Sequence, residues 1–90
     1  MSMAETIERL LRRQLAVDRL EILDDGWRHA GHAEARGGGH FTVTIVSPDF
    51  TGKARIERHR MVYAALGDQM RQAIHALVLI TRAPDEVGPG

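Results

Sequence analysis

The spacing of hydrophobic residues in the first quarter of the chain indicates a helix followed by a strand. Ser2 with Glu5 fits a capping box, in which each side chain accepts a hydrogen bond from the other residue's backbone N–H. Apolar residues then recur at helical spacing, which predicts a first helix over about residues 3–15. In the segment DRLEILDD, Leu20 and Ile22 alternate with polar residues, which predicts a strand.

Two further strands are predicted in the second half of the chain. The segment HFTVTIVS is the clearer one, because Phe41, Val43 and Ile45 alternate with polar or smaller residues. Ser47 followed by Pro48 then favours a short helical turn, with the serine as its cap. The segment HALVLITR predicts the last strand.

A helical segment from about residue 54 joins these two strands. Gly67 lies inside it and costs about 1 kcal/mol relative to alanine, so one weakened helix and two separate helices are both consistent with the pattern. Because His59 falls on the apolar stripe, we interpret it as a packed, structural histidine. The stripe consists of Ile56, His59, Tyr63, Leu66 and Met70.

This order of elements fixes where the ends of the strands meet. The first two strands should form an antiparallel pair, and the second and third, which are joined through a helix, a parallel pair. The third strand then begins at the end of the sheet where the second begins. We therefore expect His75 to lie close to the loop of residues 25–39, which carries His29 and His32.

Length and composition indicate one small domain. The chain has 90 residues, and we expect a single domain over residues 1–83 with a flexible, proline- and glycine-rich tail over residues 84–90. No apolar run approaches the roughly 20 residues that cross a bilayer. Cysteine is absent, which excludes disulfides and thiolate ligands within the chain. These features together favour a cytoplasmic protein without a membrane-spanning segment.

Several classes of function are disfavoured by the residues that the chain lacks. It contains no serine nucleophile elbow, no Walker loop and no cysteine nucleophile, so we predict that it is not an enzyme. Twelve basic and twelve acidic residues cancel to zero net charge. A dedicated nucleic-acid binder usually carries a basic excess, so this chain offers at most a local basic patch.

The histidine loop leaves three interpretations open. The commonest is a solvated polar loop, with His75 as a hydrogen-bonded residue at a strand end. A second is a self-contained zinc site, in which His29, His32 and His75 bind the ion together with water. A third is half of a shared site: two histidines can bind one iron of a two-iron cluster. The thiolates for its other iron would then come from another molecule.

The segment GKARIERHR is a local concentration of positive charge. It contains Lys53, Arg55, Arg58 and Arg60 near a helix start, where backbone donors add to the attraction of phosphate. A solvated helix face is the commoner reason for such a run. Both interpretations remain open from the residues alone.

Longer motifs resemble the BolA family over about residues 3–82. They are HFTVTIVSPDFTGK, ERHRMVYAAL and IHALVLIT, with LEILDDGWRHAGHA similar to the family's first strand and variable loop. The resemblance implies an α+β fold of the αββααβ, type II KH-like kind, with a three-stranded mixed sheet and the helices on one face. A KH domain clamps nucleic acid with a G-x-x-G loop, and this chain lacks the second glycine because it reads Gly52-Lys53-Ala54-Arg55.

The resemblance also implies a partner and a cofactor. Members of the family form heterodimers with monothiol glutaredoxins of the Cys-Gly-Phe-Ser type and share a [2Fe-2S] cluster in iron-sulfur assembly and iron homeostasis. The glutaredoxin and glutathione each supply a sulfur, and the BolA-like chain supplies two ligands. Transferred to this sequence, the ligands are His75 and His29, with His32 as the rival loop ligand.

The same resemblance carries an alternative function and an expectation for the isolated chain. Family members are also described as DNA-binding transcriptional regulators, for which Lys53, Arg55, Arg58 and Arg60 are the residues expected to contact DNA. Alone, the chain should hold no cofactor and be a monomer or a weak homodimer.

Overall fold

This computed structural model describes residues 2–24 and 39–87, and for residue 39 and residues 68–76 it describes the backbone alone. Two short 3-10 turns, Pro48–Phe50 and Pro84–Glu86, follow the second and third strands. The main elements in chain order are α1 (Met3–Gln14), β1 (Arg19–Asp24), β2 (Gly39–Val46), α2 (Arg55–Ala73) and β3 (Ile74–Arg82).

The three strands form one mixed sheet in the order β1-β2-β3. Strand β1 pairs with β2 in antiparallel orientation, and β2 pairs with β3 in parallel orientation across the α2 connection. Both predicted pairings are confirmed. The α+β class predicted from the element order and from the family resemblance is confirmed as well.

Helix α1 begins with the predicted capping box. The Ser2 hydroxyl accepts from the Glu5 backbone N–H at 3.1 Å, and the Glu5 carboxylate accepts from the Ser2 N–H at 2.9 Å. These two bonds satisfy donors that the first helical turn leaves without a partner. Ile7 and Leu11, one turn apart, are fully buried and attach the helix to the sheet.

One hydrophobic core lies between the sheet and both helices. Val43 and Ile45 project from the centre of β2 and are fully buried, as the alternation in the sequence predicts. Phe50, in the turn after β2, is also fully buried. The core cluster contains Ile7, Leu11, Phe41, Val43, Ile45, Phe50, Val62, Ala65, Leu66 and Ala83.

Helix α2 presents a different face to the core from the one its apolar residues indicate. Ile56 and Tyr63, assigned to the core stripe from the sequence, are 60% and 39% exposed. The buried positions are instead Arg58, Val62 and Ala65, which are four and three residues apart and share one helical face. The inward arginine turns the helix so that Ile56 faces outward, and the predicted stripe is therefore wrong in its first half.

The interruption at Gly67 is the other feature of α2. Gly67 has φ 80° and ψ 166°, a combination that is essentially restricted to glycine. The residue therefore breaks the helical hydrogen-bond pattern instead of merely weakening it. The sequence signal at this glycine is confirmed, and the segment consists of two helical pieces that meet there.

The first residues of the predicted flexible tail have a defined structure. Pro84–Glu86 form a 3-10 turn, and the Glu86 carboxylate contacts the Arg58 guanidinium on α2. The last residues, 88–90, lie outside the described part of the chain. The flexibility assigned to residues 84–90 and the domain boundary at residue 83 therefore stay predictions.

Candidate functional site

The start of β3 lies beside the end of the histidine loop. Ile74 pairs with Gly39, the first residue of β2, whereas Ala76 pairs with His40. His75 is therefore an extra residue on β3, opposite the point where the chain leaves the loop and enters β2. Strand irregularities of this kind are common next to functional sites, because they redirect a side chain. The prediction that β3 begins at the end of the sheet where β2 begins is confirmed, whereas the predicted proximity of His75 to His29 and His32 stays a prediction.

The imidazoles of the three candidate ligands fall outside this description. His29 and His32 belong to residues 25–38, which the structure does not describe, and His75 is described by its backbone alone. Among the described side chains, no group of three or more histidine, aspartate or glutamate residues is placed to hold a metal ion. Both the zinc site and the shared cluster stay predictions at this point.

Arg58, a member of the predicted basic patch, is buried inside the domain and only 8% exposed. Its Nε donates to the Lys53 carbonyl at 2.8 Å, and its Nη1 donates to the Thr81 carbonyl at 3.3 Å. The guanidinium also lies over the Phe50 ring, 5.9 Å from the centroid. Arg58 thus connects the start of α2 to the end of β3.

A forked ion pair completes the contacts of Arg58. Its Nη1 and Nη2 donate to the two carboxylate oxygens of Glu86 at 2.7 and 2.9 Å. These bonds are the main reason that the pKa of Glu86 falls from 4.5 to about 2, because they stabilise its ionised form. A hydrogen bond from the Ala83 N–H acts in the same direction. The same pairing raises the pKa of Arg58. A guanidinium held in this way is not available to a phosphate, so the assignment of Arg58 as a DNA contact is corrected.

The other three cations of the segment GKARIERHR lie on the surface, where a nucleic acid could contact them. Lys53, Arg55 and Arg60 are exposed. Glu57 is also exposed, and its carboxylate accepts from the Ala54 N–H at the helix start. The predicted basic patch is therefore reduced to three exposed cations.

A cleft of about 500 Å³ lies where the start of α2 faces the end of β3. Arg55, Arg58 and Arg82 line it together with one acid, Glu86. His59, which the sequence assigned to the core, is half-buried and lines this cleft instead. Its position follows from the turn of α2 that brings Arg58 inward.

Sequence reasoning missed this cleft because its parts are far apart in the chain. Arg58 and Glu86 are 28 residues apart, and Glu86 belongs to the segment interpreted as a tail. The one usable signal was Arg58, which precedes Val62 by four residues and therefore lies on the same face of the helix. A charged residue at that position implies a buried partner.

Comparison with known proteins identifies relatives along most of the chain. The model of the family described as BolA-like protein matches residues 11–86. The DNA-binding transcriptional regulator BolA of Escherichia coli is 38% identical over 81 residues, which cover 90% of this chain and 75% of that protein. SufE-like protein 1 of Arabidopsis thaliana is 38% identical over 87 residues. That match covers 90% of this chain but 24% of the plant protein, so the chain spans about a quarter of that relative.

Solved structures give the same result for the fold. BolA1 from Arabidopsis thaliana superposes with a TM-score of 0.82 at 34% identity, covering 99% of this chain and 98% of that one. The match includes the mixed sheet and the helices that bury it. Within residues 2–24 and 39–87, no helix has the length and apolar character needed to cross a membrane.

Proposed function

Because the chain belongs to the BolA family, we propose that it is the partner of a monothiol glutaredoxin and contributes histidine ligands to a shared [2Fe-2S] cluster. The observation that carries the proposal is the backbone register at the start of β3. It places His75, as an extra strand residue, beside Gly39 at the end of the histidine loop. A ligand from the start of β3 and a ligand from the loop that ends at Gly39 would then share one iron.

The donor chemistry of the chain fits one half of such a cluster. The chain has five histidines and no cysteine, so its nitrogen ligands suit one iron, as in histidine-ligated two-iron centres. His75 would be one ligand, and His29 or His32 the other. The sulfur ligands of the second iron would come from the glutaredoxin cysteine and from glutathione. When bound, the cluster supplies the iron and sulfide that assembly or iron sensing requires.

This role is one of binding instead of catalysis. One relative reported above is named as a transcriptional regulator and not as an enzyme, and we propose that this chain is not an enzyme. We also propose that it acts in the cytoplasm, because a partner that contributes a cysteine thiolate suits a reducing compartment.

Mixing the chain with cluster-loaded monothiol glutaredoxin tests the proposal. We expect the visible absorption and circular dichroism spectra to change when histidine ligands replace part of the original sulfur coordination. His75→Ala should abolish this change and cost about 1 kcal/mol of stability, as is typical of a single substitution. His59→Ala, which removes a histidine on α2, is the matched control and should behave as wild type. If the His75→Ala mixture gives the wild-type spectrum, His75 is not a ligand.

A second candidate function is DNA binding. It is favoured by the similarity to a protein named as a DNA-binding regulator and by the exposed Lys53, Arg55 and Arg60. Three cations neutralise at most three phosphates, so the log-log slope of affinity against salt should be no steeper than about −2.7. Titrations with specific and scrambled duplexes at several salt concentrations measure this slope. A steeper slope with strong sequence preference would make DNA binding the primary function.

A further inference from the structure

Alternate residues of β3 direct their backbone N–H and C=O groups away from β2, toward the outer edge of the sheet. The Ser47 N–H donates to the Arg82 carbonyl, so the backbone of Arg82 faces β2. Successive residues of a strand face opposite edges, and Thr81 and Leu79 therefore direct N–H and C=O groups to the outer edge. The Thr81 carbonyl confirms this direction, because it accepts from the Arg58 and Arg82 side chains.

This edge is a strand-pairing surface that the sheet itself leaves open. In the part of the chain that the structure describes, β3 ends the strand order and pairs only with β2. The cleft of about 500 Å³ is lined by Leu79 and Thr81 from one face of β3 and by Ile80 and Arg82 from the other. Since residues of both faces line it, the cleft lies along the edge of the strand.

The charge around this edge is positive. Arg55, Arg58 and Arg82 line the cleft together with a single acid, Glu86, so three positive charges stand against one negative charge. The ion pair between Arg58 and Glu86 neutralises one positive and one negative charge. Arg55 and Arg82 are exposed and remain beside the strand edge with His59.

We infer that the edge of β3 binds an extended, acidic peptide segment of a partner protein. The peptide would add a strand, pairing its backbone with Leu77 and Leu79, which share the outward parity of β3. Thr81 is 4% exposed and is covered by Arg58 and Arg82, so it ends the accessible part of the edge. Its acidic side chains would meet Arg55 and Arg82. Main-chain hydrogen bonds supply affinity in strand addition, and alternate side chains supply selectivity. This site is additional to the proposed cluster ligands at the start of β3.

Two other occupants fit this edge less well. A second copy of the chain would bring an equally positive cleft against the first, and charged edges of this kind oppose self-pairing. A nucleic-acid strand would place its phosphates beside outward carbonyls such as that of Leu79, where acceptor faces acceptor. A peptide backbone instead offers alternating donors and acceptors that match the edge.

A binding assay with a defined peptide tests the inference. The probe is a fluorescein-labelled peptide of eight residues in which glutamate alternates with valine, measured by fluorescence anisotropy against the full 90-residue chain. We compare it with a peptide carrying lysine in place of glutamate, and with one methylated at alternate backbone nitrogens. A labelled single-stranded DNA of similar length is the nucleic-acid arm. We expect only the first peptide to bind and to shift the amide resonances of Leu77 and Leu79.

Charge-reversal variants locate the site. Since one exposed ion pair contributes up to roughly fivefold in affinity and each reversal also adds repulsion, Arg55→Glu with Arg82→Glu should weaken binding roughly tenfold. Arg9→Glu with Arg13→Glu, both on exposed positions of α1, makes the same change in net charge and should have little effect.

Four results would overturn the inference. They are equal binding of the lysine peptide, equal binding of the methylated peptide, resonance shifts confined to other strands, and binding of the DNA alone. Concentration-dependent dimers that lose the Leu77 and Leu79 shifts would assign the edge to a second copy instead. The cluster mixing experiment is read out at His75 and is decided separately from all of these.

Discussion

The ion pair between Arg58 and Glu86 predicts how the stability of the domain responds to acid. The Arg58 side chain is 10% exposed and the Glu86 side chain 41% exposed, so the pair is inside the domain at one end and at its surface at the other. The substitution Glu86→Gln removes the negative charge and keeps the shape. It leaves the inward guanidinium of Arg58 without a counter-ion, and we expect the variant to be less stable than wild type at pH 7.

The pH range of this effect follows from the pKa of Glu86. The folded protein lowers that pKa from 4.5 to about 2, so the pairing stabilises the fold above pH 4.5 and is lost as the pH falls toward 2. At the midpoint between the two values, the unfolded chain binds about 0.95 proton at Glu86 and the folded chain about 0.05. Unfolding should therefore take up about 0.9 proton at this residue.

Urea denaturation of wild type and Glu86→Gln between pH 7 and pH 2 measures the effect. The difference between their unfolding free energies should be constant above pH 5, shrink as the pH falls below 4.5, and be small at pH 2, where Glu86 of the folded protein is about half protonated. Glu21→Gln, a change at an exposed position of β1, is the matched control. A Glu86→Gln difference that stays constant over the whole range would refute the assignment of the low pKa to this pair. Carboxyl NMR titration of Glu86 gives an independent value of the pKa.

Three other outcomes follow from the histidine loop and from the break in α2. In the glutaredoxin mixture, only one of His29→Ala and His32→Ala should abolish the mixed-cluster spectrum, and equal loss in both would show that neither is the sole loop ligand. Zinc titration of the isolated chain by calorimetry should give weak binding, because ordering the glycine-rich loop costs entropy and no thiolate contributes; a nanomolar dissociation constant would restore the self-contained zinc site. Gly67→Ala should lower the free energy of unfolding by about 1 to 3 kcal/mol in thermal or urea denaturation, because φ is 80° there, and an unchanged midpoint would contradict that backbone conformation.

The strands and the connection between them were predictable because each signal is local. The alternation around Val43 and Ile45 defines β2 and its buried face, and the Ser2 capping box defines the start of α1. The helix between β2 and β3 requires a parallel pairing, which brings the start of β3 to the end of the histidine loop. No long-range information was needed for these steps.

The face of α2 could not be predicted in the same way. The apolar stripe counts Ile56 and Tyr63 as buried because periodicity ranks residues by hydrophobicity alone. Arg58 occupies the inward position instead, since Glu86 and two backbone carbonyls satisfy its guanidinium. That compensation depends on a residue 28 positions away, and nothing in the local pattern indicates it. The cleft and the correction to the DNA-contact residues both follow from this one side chain.

The two proposed sites lie at opposite ends of strand β3. From His75 to Thr81 the strand advances six residues, which is about 20 Å at the usual rise per residue. A substitution at one end therefore touches no group at the other, and the effects of His75→Ala and of the Arg55 and Arg82 reversals should add independently. A glutaredoxin that also carried an acidic extended segment would engage both ends at once. The second contact would then be intramolecular and would strengthen a weak cluster-bridged complex without any new ligand. Loss of mixed-complex affinity in the charge-reversed protein, with an unchanged cluster spectrum at saturation, is the result that identifies such a partner.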